Sequence, residues 1–228
     1  MQGLTPIGGS GDLWRPGVSR DSIDEVRVRS LFEDFRSSTS YFYIDIENWP
    51  LRDAAADTRR QNIDKLTRLI DIARVTAPHL HIGFYGILPD ISYWPLIRHD
   101  KEYHAWLEVN RELNSLANHV DAIYPSLYTF YDDLDGWSNY AQQTLAQARQ
   151  YGKPVYPFLW PEFHDSNLLL RGHKLQPDFW RAELELCANL ADGIVLWGGS
   201  QEHWDHQAPW WQETLRFLQA RGFPSPPA

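Results

Sequence analysis

Five short β-rich runs recur along the chain with helical stretches between them, and this rhythm decides most of what it can fold into. The runs are "SYFYIDIE" (40–47), "LHIGFYGIL" (80–88), "DAIYPSLYT" (121–129), "PVYPFLW" (154–160) and "DGIVLWGG" (192–199). Their starts lie about 30 to 40 residues apart, the length of a βα unit. Between them "DTRRQNIDKLTRLIDIARVTAP", "KEYHAWLEVNRELNSLANHV", "WSNYAQQTLAQARQYGK" and "QPDFWRAELELCANLA" carry helical periodicity. The runs are nearly continuous in apolar residues, so both faces of each strand need cover. A parallel sheet under helices provides it.

The expected architecture is therefore α/β: a (β/α) TIM-like barrel formed by one domain over residues 1–228. The usual barrel closes with about eight strands. Five runs, with a sixth available around Leu4 to Ile7, predict an incomplete or atypical one. "DSIDEVRVRSLFEDFRSS" reads as a helix, and "GGSG" at 8–11 reads as a loop without the context of a phosphate site. Residues 222–228 read as a disordered or docking tail. Polar and aromatic residues gather just after the runs, at Glu47 to Pro50, Pro89-Asp90, Ser126 to Tyr128, Trp160 to His164 and Trp197 to Ser200. Parallel α/β folds place their sites there.

A net charge of −9 argues against a chain built to grip nucleic acid or anionic lipid. No apolar run reaches membrane-spanning length. The single cysteine, Cys187, excludes an internal disulfide and reads as a small core residue of a helix. No signal peptide is visible at the start, and a secreted or extracytoplasmic location stays open. Eleven Trp, eleven Tyr and ten Phe, many at strand ends, suit a site that stacks the flat apolar faces of a ligand.

In "FYIDIENWP" the carboxylates of Asp45 and Glu47 lie two residues apart, hence on one face of a strand. Like charges that close favour one shared proton at neutral pH. A protonated carboxyl beside a second one is what acid-catalysed glycosidic cleavage requires, although a D-x-E at a strand end is also a common solvated rim.

"FYIDIENWP" resembles the acidic motif of the hyaluronidase family of glycoside hydrolases, and more distantly the D-x-E of family 18 chitinases. "GFYGILPD", "AIYPSLY", "KPVYPFLW" and "GIVLWGG" are similar to further strands of that family in the same order, from residue 40 to residue 200. Residues 1–39 match it poorly. The resemblance implies a glycosidase acting on a β-linked glycan that contains N-acetylhexosamine, and nothing in the sequence suggests an organic cofactor. It implies that Glu47 is the general acid and that Asp45 orients a substrate acetamido group, whose oxygen attacks the anomeric carbon. Ser126 and Tyr128 match its Ser-x-Tyr, the tyrosine bonding the developing charge, and Trp197 its sugar-floor tryptophan. The family's next tyrosine maps to Tyr93 or Tyr85. Trp49, Asp90, Trp160 and Glu162 complete the candidate substrate-binding set.

Plainer readings stand beside these. Trp197 would fill a barrel interior equally well, Tyr124 and Tyr128 would serve as rim residues, and Glu162-x-His164 reads as solvated loop. His203 and His206, with Asp205, have a spacing that metal sites use but lack a clearly placed third ligand. Few basic residues lie beside the motifs (Arg52 and Arg98 are nearest), which argues against hyaluronan itself. Two alternatives remain open: a non-catalytic carbohydrate-binding barrel, and a hydrolase of neutral β-glucans with Glu162 or Asp90 as the distant partner. The oligomeric state is not encoded in these patterns.

Overall fold

The computed structural model describes residues 4–35, 40–198 and 205–223. Among them run strands β1 (Gly8–Ser10), β2 (Tyr41–Ile44), β3 (His81–Phe84), β4 (Phe158–Leu159) and β5 (Val195–Leu196). Helices are α1 (Glu25–Asp34), α2 (Ala56–Thr76), α3 (Tyr93–Arg98), α4 (Lys101–Glu112), α5 (Asn114–Ala117), α6 (Leu134–Gln150), α7 (Pro177–Leu190) and α8 (Pro209–Ala220). The strands pair in parallel and in sequence order. β1 joins β2 and β2 joins β3, while β4 joins β5. The segment 122–129 links the two groups through parallel bridges Tyr85 to Tyr124, Ile123 to Val155, Ser126 to Phe158 and Thr129 to Phe163.

The βα rhythm is therefore present, but the strands are short and no pairing joins β5 back to β1 among the described residues. Between those edges opens a groove of about 950 Å³, lined by Leu4, Ile7, Tyr156, Ile194, Trp210 and Phe217 among others. Asp45 and Glu47 lie outside its lining.

The first strand falls in "GGS", where the sequence suggested a loop, and Leu4 to Ile7 lie in non-strand backbone ahead of it. The reason is packing. A Cβ on Gly8 would come within 2.3 Å of the Phe35 ring, and one on Gly9 within 2.1 Å of the Tyr43 ring. Only glycine lets this edge lie under the aromatics of β2 and the chain before it.

The helices form where periodicity places them. Ile63, Leu66, Ile70 and Ala73 of α2 repeat at three- and four-residue steps and are all buried, giving one apolar stripe toward the sheet. α1 packs Phe32 against Phe42 of β2 with centroids 4.9 Å apart. Its N-terminus is capped by Asp24, which accepts from Arg27 N at 3.1 Å and pairs with Arg15 at 2.7 Å. α7 and α8 each begin on proline, which suits the first turn because its missing N–H would be unsatisfied there anyway. Cys187 is fully buried in α7. No described helix is long and apolar enough to cross a membrane.

Candidate active site

From β2 onward each strand segment delivers side chains at its C-terminal end. Asp45 follows β2 directly, its N–H bonded to Ser10 O at 3.0 Å, and Gly11 lies against it. Glu47 is exposed two residues further on. Tyr85 follows β3, Ser126 and Tyr128 end the fourth segment, Trp160 follows β4, and Trp197 follows β5 with its N–H on Leu159 O at 2.8 Å. Parallel pairing in sequence order turns these distant residues into neighbours.

Direct contacts join Ser126 and the aromatic residues among them. Tyr85 Oη donates to Ser126 Oγ at 3.1 Å. The Tyr85 and Tyr128 rings lie 5.8 Å apart, and Tyr128 meets Trp160 at 5.4 Å. Phe158 packs beneath, 4.8 Å from Tyr43 and 4.9 Å from Tyr85. Trp197 is half-buried against the same inner group of Tyr124, Tyr128 and Phe158. Burial raises the Tyr85 hydroxyl to about 12, and the charges of Asp45 and Glu47 add to the rise. Burial also pushes Tyr128 far up, so both phenols are protonated donors at any physiological pH.

The Asp45 carboxyl is raised from its ordinary value. Burial is the larger cause and the charge of Glu47 the second. Asp45 Oδ1 is buried and has no hydrogen-bond partner among the described residues. A buried carboxylate oxygen left unpaired costs free energy until a ligand donor or a proton reaches it.

Other candidates are placed elsewhere. The buried Trp49 ring donates through Nε1 to Arg20 O at 2.8 Å and stacks edge-on to Trp14. Asp90 faces Arg52 at 3.5 Å, and burial raises its carboxyl to about 6 against the pull of that guanidinium. Tyr93 belongs to a second aromatic group with Trp94, Phe130, Tyr131 and Tyr140. Glu162 is buried, bridges backbone to backbone with Lys174 and forms an ion pair with its ammonium. Trp49 and Glu162 have their polar groups paired locally, whereas Asp90 Oδ2 and Tyr93 Oη are buried without a hydrogen-bond partner among the described residues.

His164, which the sequence places in a solvated loop, does join the cluster. Its ring lies 6.0 Å from Tyr128, 6.3 Å from Trp160 and 4.9 Å from Phe130. Burial lowers its basicity, and the charges of Asp165 and Glu47 oppose that effect. Glu183 is a further buried acid. It accepts from Thr129 Oγ1, and complete burial holds its carboxyl well above the ordinary range. No signal in the sequence separates it from the other acids of α7.

Among the described residues no group of three or more His, Cys, Asp or Glu could hold a metal ion. His203 lies outside the described residues.

No protein-family model matches the chain, and no curated protein matches its sequence. Among solved structures it is similar to bee venom hyaluronidase in a monoclinic crystal form, with a TM-score of 0.58, 16% identity, 79% of this chain covered and 69% of that chain. It is also similar to bee venom hyaluronidase in complex with a hyaluronic acid tetramer, with a TM-score of 0.57, 16% identity, 80% of this chain covered and 66% of that one. At such identity the likeness is one of fold alone.

Proposed function

We propose that the chain is a glycoside hydrolase that cleaves a β-linked glycan containing N-acetylhexosamine. The observation that carries this reading is the buried Asp45 Oδ1, without a hydrogen-bond partner among the described residues, next to an exposed Glu47 and near enough to the Tyr85 and Tyr128 hydroxyls for its charge to act on both. The acetamido N–H of a bound sugar is the donor that Asp45 lacks. With that N–H held, the acetamido carbonyl oxygen attacks the anomeric carbon as the bond to the leaving oxygen breaks. Glu47 gives its proton to that leaving oxygen. The positive charge that develops on the acetamido group is balanced by Asp45, and the Tyr128 hydroxyl hydrogen-bonds the same group. Water then adds at the anomeric carbon as that carbon's bond to the acetamido oxygen breaks, which regenerates the acetamide, and the water's proton passes to the Glu47 carboxylate, which restores the acid. Trp160 and Trp197 supply apolar faces for the sugar rings.

The similarity to a hyaluronidase solved with a hyaluronic acid tetramer favours a polysaccharide as the ligand class. That no pairing joins β5 to β1 among the described residues favours a second reading, glycan binding without turnover. One assay separates them: new reducing ends released from hyaluronan, chondroitin, chitin oligomers, peptidoglycan glycan and neutral β-glucans. Cleavage that Glu47→Gln abolishes supports hydrolysis by this acid. Cleavage that survives in Glu47→Gln removes Glu47 from the role. Glycan binding without any cleavage supports the second reading.

A further inference from the structure

His164 is held by its loop in a way that leaves one edge of the ring for a ligand. The loop is docked onto the end of the fourth strand segment. His164 N donates to Thr129 O at 2.8 Å, and Asn167 Nδ2 donates to Phe130 O at 2.8 Å. Asn167 N bonds back to His164 O at 2.9 Å, and its Oδ1 accepts from the N–H groups of Leu169 and Leu170. The imidazole is therefore carried on a fixed turn and walled by Phe130, Tyr128 and Trp160.

Its tautomer follows from one contact. Ser166 N lies 3.2 Å from His164 Nδ1, and Ser166 Oγ lies 2.9 Å from it. A backbone N–H can only donate, so Nδ1 is the acceptor and the neutral ring carries its hydrogen on Nε2. Nδ1 is turned into the loop, which leaves Nε2 on the opposite edge of the ring. Among the described residues no protein acceptor takes the Nε2–H. Protonating the ring would cost the Ser166 bond and would charge a half-buried group. Asp165 on its own loop and Glu47 from the end of β2 are the charges that act on it, with the Tyr128 phenol as the neutral neighbour.

We propose that His164 Nε2–H donates to an oxygen of the sugar unit next to the bond that Glu47 protonates, making the 164–167 turn part of the substrate site. The inference rests on the glycosidase reading and adds a specificity contact to it. An imidazole that merely packs would be replaceable by phenylalanine without loss of ligand. An imidazole that donates would not, and glutamine, which also carries an N–H donor, would replace it in part.

The test compares wild type, His164→Phe and His164→Gln by kcat and KM on the cleaved polymer. It adds affinity for hyaluronan and chitin hexasaccharides on a Glu47→Gln background. His164→Phe is expected to keep its melting temperature and to lose about ten- to hundredfold in kcat/KM and in affinity, the equivalent of one hydrogen bond in the site. His164→Gln is expected to recover most of that loss. Wild-type kcat/KM and affinity in the Phe variant would overturn the proposal, and so would a nitrogen NMR shift showing Nδ1 protonated in the neutral ring. Loss of hexasaccharide affinity in His164→Phe, with no turnover by wild type, would keep this contact while removing the hydrolase reading. If wild type neither binds nor cleaves any glycan, both fall.

Discussion

Tyr85 Oη donates to Ser126 Oγ at 3.1 Å, and this bond fixes the end of β3 to the neighbouring strand end beneath Tyr128. Ser126 is pinned from the other side as well, its carbonyl accepting from Tyr140 Oη at 2.7 Å. Both hydroxyls of the pair sit among apolar rings. Ser126→Ala would leave the Tyr85 hydroxyl without that partner, at a cost of about 1–2 kcal/mol. Removing both hydroxyls in Ser126→Ala with Tyr85→Phe is expected to restore part of that stability, because the Tyr85 hydroxyl no longer lacks Ser126, although Tyr128 then loses its hydrogen bond to Tyr85. A double-mutant cycle by urea denaturation reads the coupling directly. Additive single effects would mean that the two hydroxyls do not depend on each other.

Asp45→Asn separates stability from activity. The carboxyl is raised by burial and by the Glu47 charge, so folding disfavours its ionised form. An amide removes that penalty, and the variant is expected to be at least as stable as wild type at pH 7. Turnover should fall about a hundredfold or more, since the amide cannot balance the charge that develops on the acetamido group. Thermal melts and initial rates on the cleaved polymer check both halves. A less stable, fully active variant would contradict this account of the pair.

How far the sequence reached depends on whether a signal was local. The βα rhythm and the carboxylates at the end of β2 are local patterns, and the strand-end positions of Tyr85, Ser126, Tyr128, Trp160 and Trp197 follow from them. Gly8 and Gly9 are strand through their pairing with Phe42 and Tyr43, close under the Phe35 and Tyr43 rings, and no pattern in "GGSG" announces that. Glu162 acquires its partner from Lys174, and Tyr93 its surroundings from Phe130 and Tyr140, through turns of the chain that composition does not encode. His164 enters the cluster because Asn167 and Thr129 fold its loop inward. Such placements are tertiary and override the bland reading of a lone E-x-H.

Gly83 lies where β3 meets the next strand segment. A Cβ there would come within 2.1 Å of Ala122 O, a backbone atom that cannot swing aside, and within 2.9 Å of the Tyr124 ring. Gly83→Ala must therefore push two strands apart in the buried centre of the arc. The expected loss is about 3 kcal/mol or more, in the range of severe overpacking. Denaturant midpoints would show it. A midpoint within experimental error of wild type would mean that the strands separate more easily than the packing implies.

Asp90 makes stability depend on pH in a defined direction. Its side chain is 15% exposed, and burial lifts its carboxyl from an ordinary value of 3.8 to about 6, even though Arg52 stands 3.5 Å away. The folded state therefore keeps this proton after the unfolded chain has released its own. Stability contributed by the protonated form is complete below about pH 4, declines as pH rises toward 6, and is lost above that. A rise of that size is worth about 3 kcal/mol at most. Asp45 and Glu183 are raised as well and slope the same way, so the wild-type curve alone does not isolate Asp90. The difference between wild type and Asp90→Asn does. Urea unfolding of both proteins between pH 4 and 7 should show the variant gaining on wild type as pH rises, with most of the gain below about 6.5. Parallel curves across that window would mean that Arg52 neutralises Asp90 fully and that the carboxylate is ionised in the fold.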